Sequence, residues 1–260
     1  MKLRLSDSRA SEPPTPPHPS AIARTDGRNL RVLVGQAAVG NFHDAFADGN
    51  KPTRDLKAIY LRDLAPRAAA WCAVNGYDYM LLTQTRLEFS NKNIQFHAQK
   101  LWFLSQWDSF DYFIWLDADV LITRKALREA KPFPLAEGFV AVRDLAKSQK
   151  HFCAQDCITV ERQNYFNSGV WSVSKQSAQK MWPCIRAFAE GRSYQEFRLS
   201  RDQCTLNQVV KDCGVTLHLA DSEWNQISGK RADNRRAYAI HFAGSQWKKP
   251  GRIRRYLRRY

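Results

Sequence analysis

No stretch of the 260 residues approaches the roughly 20 consecutive apolar side chains that a membrane-spanning helix needs. The N-terminus also lacks the apolar core of a secretory signal, so the expectation is a cytoplasmic protein. Cysteine is sparse: six residues, at 72, 153, 157, 184, 204 and 213, follow no tight pattern, which argues against a disulfide framework and for reduced thiols. His151, Cys153 and Cys157 share one loop, but without an obvious fourth ligand they make only a partial metal site. The chain carries no internal repeat. It also has no zinc-finger, helix-turn-helix or aromatic RNA-binding signature, so its basic character does not by itself imply a nucleic-acid partner.

What the chain does have is a globular protein's hydrophobic content, 44%, and a formal net charge of +15. The length suits one large domain with a real core. Residues 1–28 are rich in Pro, Ser and Arg, and Pro13, Pro14, Pro16, Pro17 and Pro19 forbid regular structure, so they read as a flexible lead-in. Residues 29–250 read as the folded domain and 251–260 as a basic amphipathic tail. From Lys248 to Tyr260 there are seven Lys or Arg and no acid. Ile253, Tyr256, Leu257 and Tyr260 recur at helical spacing, giving an apolar stripe among arginines that suits an anionic membrane surface or, alternatively, the protein's own core.

Within the domain, short apolar runs alternate with helical patterns. Leu30–Val34 reads as a first strand ending at Gly35, with Gln36 opening a loop, and residues 53–75 as a helix bent at Pro66 and capped by Gly76. Tyr79–Leu82 is a second strand, and a helix carrying Ala98, Leu101 and Trp102 precedes the third. Gly138–Val142, Gly169–Val173, Val215–Leu219 and Tyr238–Phe242 are further strands, with helices over 178–190 and 201–211. The alternation implies an α/β fold, a mostly parallel Rossmann-like sheet flanked by helices, whose ligands gather at the carboxyl ends of the strands.

The most informative stretch is the third strand, Tyr112 to Ile122, because two carboxylates, Asp117 and Asp119, interrupt it. Buried unpaired charge is costly, so the acids must open onto a cleft or meet a cation. In a strand, positions two apart share a face, so both can present oxygens to one hard ion such as Mg²⁺ or Mn²⁺.

Four further signals follow in order: Phe166-Asn167-Ser168-Gly169-Val170, Asp202-Gln203-Cys204-Thr205-Leu206-Asn207, Trp224-Asn225, and His241-Phe242-Ala243-Gly244. Over about residues 30 to 250 this series resembles the metal-dependent nucleotide-sugar glycosyltransferases of the GT-A fold. The likeness is to glycosyltransferase family 8, the lipopolysaccharide galactosyltransferase and glycogenin type, and to the related family 34. The resemblance implies transfer of a hexose from a nucleotide-diphosphate sugar, a UDP-sugar in preference to a GDP-sugar, to a glycan or lipid-linked acceptor, with retention of anomeric configuration. It implies Mn²⁺ or Mg²⁺ held by Asp117, Asp119 and His241. It assigns Gln36, Ala37, Lys100, Gly244 and Lys248 to the nucleotide; Asn167, Asp144 and Asp202 to the donor sugar; Gln203 and Asp202 to the reacting centre; and Trp224 and Asn225 to the acceptor. The chain departs from family 8 where a lysine is usual six residues after the histidine: position 247 is Trp, and Lys248 or Lys249 takes its place.

Competing readings of the residues are a solvated helix face for Lys100, a loop polar group for Gln36, a helix N-terminal acid for Asp202 and a core side chain for Trp224. Among other enzyme classes, the D-x-D phosphatases want Thr or Val where Leu121 stands, and no later strand ends in paired aspartates. A sugar nucleotidyltransferase would need a glycine-rich basic loop after the first strand. A basic nucleic-acid or membrane-surface binder leaves the five ordered motifs unexplained.

Overall fold

The computed structural model describes residues 30–39, 58–90, 97–144, 159–194, 201–228, 234–243 and 250–260. The lead-in, the His151, Cys153 and Cys157 group, Gly244, Lys248 and Lys249 lie outside the described residues. Strand β1 (Val32–Ala37) runs parallel to β2 (Asp78–Leu82) on one side and to β3 (Tyr112–Leu116) on the other. Beyond β3 come β6 (Phe166–Ser174), antiparallel to it, then β5 (Phe139–Arg143) and β7 (Leu217–Ala220), giving the order β2-β1-β3-β6-β5-β7. Only β6 runs against the others, so the sheet is mostly parallel, as the strand-helix alternation implies. A second, small sheet holds β4 (Val120–Ile122), β9 (Ala239–His241) and β8 (Gln226–Ile227) in that order.

Both faces of the main sheet are covered, because the apolar runs have side chains to bury on each side. Phe113, Trp115, Phe139, Ala141 and Trp171 face the layer that contains the 3₁₀ segment His97–Ser109. Helices α3 (Lys175–Ala189) and α4 (Arg201–Asp212) complete that layer. Ile114, Leu116, Val140, Val142 and Val170 face α1 (Ala65–Asn75) and α2 (Arg124–Arg128). Gly76 ends α1 in the left-handed region at φ 71°, where a Cβ would be strained. Pro66 sits in the first turn of α1, where a missing N–H costs nothing, and the expected bend is instead a π-helical turn over Tyr60–Leu64.

The chain departs from the expected strands at three places that matter for the site. First, β1 continues through Gly35, Gln36 and Ala37, because Gln36 and Ala37 pair with Leu81 and Leu82; Gln36 is a strand residue, not a loop one. Second, the run Tyr112 to Ile122 is two strands in different sheets, broken by a turn in which Val120 N–H donates to the Asp117 carbonyl at 2.9 Å. Third, β6 begins at Phe166, and its register on β5 jumps from Ala141–Trp171 to Val142–Asn167. That irregularity pushes Ser168-Gly169-Val170 out of the β5 ladder, the kind of bulge that re-aims groups beside a site.

Helix α5 (Pro250–Arg259) is docked on the small sheet. Ile253 is fully buried with Leu121, Ile240 and Phe242, and Tyr256, Leu257 and Tyr260 pack against the same cluster. The Arg67 guanidinium donates to the Leu257 carbonyl at 2.8 Å, and Tyr256 meets Phe242 edge to face at 5.4 Å. The apolar stripe expected to face a membrane is thus committed to the protein's own core, leaving Arg255, Arg258 and Arg259 exposed. Ile253→Ala is accordingly expected to cost about 2–5 kcal/mol, read as a lowered urea midpoint, since it opens a cavity under Phe242. An unchanged midpoint would mean that the helix is not held by this contact. No helix among the described residues is long and apolar enough to cross a membrane.

Candidate functional site

The two aspartates of the turn are fixed through their backbones. Asp117 N–H donates to the Gly169 carbonyl at 2.8 Å, and the Asp119 carbonyl accepts from Phe242 N–H at 3.0 Å, so one hangs from β6 and the other from β9. They converge because of this turn rather than through the face-sharing of a continuous strand. His241 arrives on β9, whose pairing with β4 sets it opposite Val120. One ligand atom from each of Asp117, Asp119 and His241 lies within 4.8 Å of the others. His241 Nε2 is 3.2 Å from Asp119 Oδ1 and 3.7 Å from Asp117 Oδ2.

The other oxygen of Asp117 is already engaged. Oδ1 takes the Lys100 ammonium at 2.8 Å and the Trp115 indole N–H at 2.6 Å, which turns Oδ2 toward His241. Lys100 Nζ also meets Asp202 Oδ2 at 3.0 Å and donates to the carbonyl and hydroxyl of bulged Ser168, both at 3.2 Å. Lys100 is therefore a buried bridge, not a solvated helix face. Burial works against its charge, but Asp117 and Asp202 hold its proton affinity above that of an ordinary lysine.

His241 and Asp119 shift together. Burial disfavours charge on both, yet Asp119 raises the proton affinity of the imidazole and His241 depresses that of the carboxylate. Three carboxylates, of Asp117, Asp119 and Asp202, surround one obligate cation, Lys100. With His241 neutral the group is net negative, which suits a divalent cation.

A chain of amides runs from His241 across the bulge to α4. Asn225 Oδ1 faces His241 Nδ1 at 3.0 Å, and Asn225 Nδ2 donates to Asn167 Oδ1 at 2.8 Å. Asn167 Nδ2 in turn donates to Gln203 Oε1 at 3.3 Å, and Gln203 Nε2 donates to Asp144 Oδ2 at 3.0 Å. Asn207 clamps α4 onto β6 by accepting from Phe166 N–H and donating to Phe166 O, both at 2.9 Å, which fixes where Asp202 and Gln203 stand. Asn167, Asp144, Asp202, Gln203, Lys100, Asp117, Asp119 and His241 thus form one connected group.

Gly169 belongs to the same group by omission. A Cβ there would lie 2.2 Å from His241 Cε1 and 2.5 Å from Nδ1, so only glycine admits the ring. Gly169→Ala is expected to displace His241 at a cost of about 1–3 kcal/mol in stability. A melting curve checks this, and an unchanged midpoint would show that the ring is not held against the bulge.

Three residues expected to touch ligands are packed within the protein. Trp224 is 2% exposed and packs against Trp71 at 5.7 Å, Phe133 at 5.3 Å and Tyr238 at 5.1 Å, so no indole face is offered to an acceptor. Asn225, 5% exposed, is spent on His241 and Asn167. The Gln36 amide accepts from the Tyr79 hydroxyl at 2.7 Å and donates to the Asp117 carbonyl at 3.3 Å. At 1% exposure it braces the aspartate turn. Ala37, next along β1, stays half-buried at the strand end. Trp115, Tyr79 and Ser168 are site residues that the motifs did not single out. The first two lie in strands that read as core, and the third depends on a bulge that no periodicity announces.

No protein-family model matches the sequence, and no curated protein matches it. Solved structures do. A glycosyltransferase involved in glycosylating the major capsid of PBCV-1 superposes with a TM-score of 0.56 at 16% identity, covering 88% of this chain and 100% of that one. The bifunctional glycosyltransferase WbbM matches with a TM-score of 0.48 at 14% identity over 92% of this chain, which spans about half (53%) of WbbM. The galactosyltransferase LgtC, in complex with donor and acceptor sugar analogues, matches with a TM-score of 0.46 at 16% identity over 82% of this chain and 87% of that one. With the capsid glycosyltransferase as the structural match, the chain has the GT-A glycosyltransferase fold.

Proposed function

We propose that the protein is a glycosyltransferase that moves a hexose from a nucleotide-diphosphate sugar, a UDP-sugar first among the candidates, to a glycan or lipid-linked acceptor with retention of configuration. The observation that carries this reading is the convergence of Asp117, Asp119 and His241 beside Asp202 and Gln203, on a fold shared with a glycosyltransferase. The donor set fits Mn²⁺ or Mg²⁺. Ligand atoms about 2.1 Å from a small cation lie about 3 Å apart when adjacent, and the His241–Asp119 spacing of 3.2 Å matches that. Hard carboxylate oxygens with one imidazole nitrogen favour Mn²⁺ slightly over Mg²⁺. When bound, the cation supplies positive charge to the diphosphate bridge and to the charge that develops on the leaving phosphate.

The protein's own groups do the rest. Lys100 and Trp115 hold Asp117 in the orientation that aims Oδ2 into the site. Asp202 and Asp144 offer carboxylate oxygens to sugar hydroxyls, and the pair is spaced by Gln203, whose amide is locked at both ends by Asp144 and Asn167. A rigid amide placed at the anomeric carbon stabilises developing positive charge through its carbonyl without reorganising. Gly244 and Lys248 fit a phosphate-binding role after His241, with Lys249 the alternative to Lys248, and the exposed arginines of α5 fit an attraction to an anionic membrane surface.

Gln203→Ala is expected to lower turnover by 10²-fold or more while changing affinity for the free nucleoside diphosphate less than threefold, because the diphosphate does not reach it. Equal losses in both would assign Gln203 a purely structural part. The reading as a whole is tested by a thermal-shift and hydrolysis screen of UDP- and GDP-sugars with and without Mn²⁺. A donor that binds raises the melting temperature by mass action. A screen in which no sugar nucleotide stabilises the protein or is hydrolysed would contradict it.

A further inference from the structure

The direction of the amide chain is set by a group that cannot be reversed. Gly169 N–H can only donate, and it points at a side-chain atom of Asn167 at 2.9 Å, so that atom is the Asn167 oxygen. The atom of Asn225 that lies 2.8 Å from the same oxygen must then be its NH₂ group. Its remaining atom, Oδ1, faces His241 Nδ1 at 3.0 Å and can only accept, so Nδ1 carries a proton. A neutral imidazole has a single N–H. With that proton on Nδ1, Nε2 is the nitrogen turned toward Asp119 and Asp117, and its lone pair is free for a cation once no second proton is held against Asp119 Oδ1.

Burial makes the assignment binding. Asn225 is 5% exposed and His241 4%, so a reversed amide would set the Asn225 oxygen against the Asn167 oxygen with little water to relieve it. Trp224 explains how so exact an aim is held. It is wedged among Trp71, Phe133 and Tyr238, and Asn225 follows it at the end of the 3₁₀ turn Ser222–Trp224. The indole is the anchor and the amide is the part that is aimed.

We propose that Asn225 is a positioning residue: it fixes His241 as the Nδ1–H tautomer with Nε2 free to ligate a divalent cation, and through Asn167 it ties that ligand to Gln203. The assignment rests on the cation reading of Asp117, Asp119 and His241. It also links two parts of the site that are far apart in sequence, since a shift of His241 travels through two amides to the residue proposed to meet the donor sugar. Partners of this kind fix tautomer and ring orientation at metal-binding histidines, and their loss typically costs about 10–100-fold in metal affinity.

Two variants separate the two hydrogen bonds. Asn225→Leu removes both, and Asn225→Asp keeps an acceptor on Nδ1 but loses the donor to Asn167. Titrating the full chain with Mn²⁺ alone should show affinity reduced about 10–100-fold in Asn225→Leu, and within about threefold of the wild type in Asn225→Asp, whose turnover should nonetheless fall because Asn167 and Gln203 lose their brace. Long-range nitrogen–proton correlation spectra of the wild-type His241 ring, with diamagnetic Mg²⁺ and without it, need no variant and should show a proton on Nδ1. An unprotonated Nδ1, or a folded Asn225→Leu protein that binds Mn²⁺ as the wild type does, overturns the proposal. If the wild type binds no Mn²⁺ at all, the cation reading fails, while the tautomer still decides the role of Asn225.

Discussion

Asp119→Asn is expected to abolish donor hydrolysis and transfer while leaving a folded protein. Removing one anionic ligand from a site proposed to hold a divalent cation against a diphosphate weakens transition-state stabilisation by about 3–4 kcal/mol or more, a loss of at least 10²–10³ in turnover. The fold should survive for reasons visible at the residue. Its backbone bond is retained, the Asp119 carbonyl still accepting from Phe242 N–H, and Asn has the same shape. His241 owes much of its raised proton affinity to Asp119. It can face the new amide as a neutral ring, so no buried charge is stranded. Circular dichroism and a melting curve beside the activity assay check both halves. Full turnover in the variant, or undiminished turnover of the wild type in EDTA, would remove the metal from the account.

A large loss of stability is also expected at Lys100. Lys100→Met takes away the cation that bridges Asp117 and Asp202 and leaves the Ser168 carbonyl and hydroxyl without this donor. Breaking a buried pair from one side costs about 3–5 kcal/mol. Both carboxylates keep some access to water, with side chains 24% and 22% exposed, so about 3 kcal/mol is the better expectation. For a chain of this size that is roughly 6–12 °C in melting temperature. Divalent cation should recover part of the loss, because it supplies charge to Asp117 and binds only the folded state. A variant as stable as the wild type would make the bridge incidental. A variant destabilised but indifferent to Mn²⁺ would separate Asp117 from the cation site.

The two kinds of site residue differ in how they can be read from sequence. Asp117 and Asp119 stand out because acids inside an apolar run must be accounted for, and His241 because it ends a recognisable strand. That they meet depends on β4 and β9, strands of three residues each whose pairing leaves no periodic trace. Lys100 shows the opposite problem. A lysine on a helix looks the same in sequence whether it is solvated or buried, and here the difference is made by a bulge in β6 more than sixty residues away. Gln36 and Trp224 read as ligand residues because polar strand-end groups and aromatic faces often serve ligands. Their packing, against the Tyr79 hydroxyl for one and three aromatic rings for the other, leaves no trace in the sequence. The stripe of α5 had the spacing of either a membrane face or a core face, and only the partner, the Leu121, Ile240 and Phe242 cluster, distinguishes them. The sheet itself was largely legible, since buried parallel strands read as short apolar runs between helices.

The most direct test of the proposed centre is anomalous X-ray diffraction from crystals of the full chain grown with Mn²⁺ and a UDP-sugar. A manganese peak bonded to carboxylate oxygens of Asp117 and Asp119 and to His241 Nε2, with the diphosphate on its open side and the sugar against Asp202 and Gln203, is the predicted result. A bound sugar nucleotide with manganese elsewhere, or manganese at this site with the nucleotide bound away from it, would contradict it.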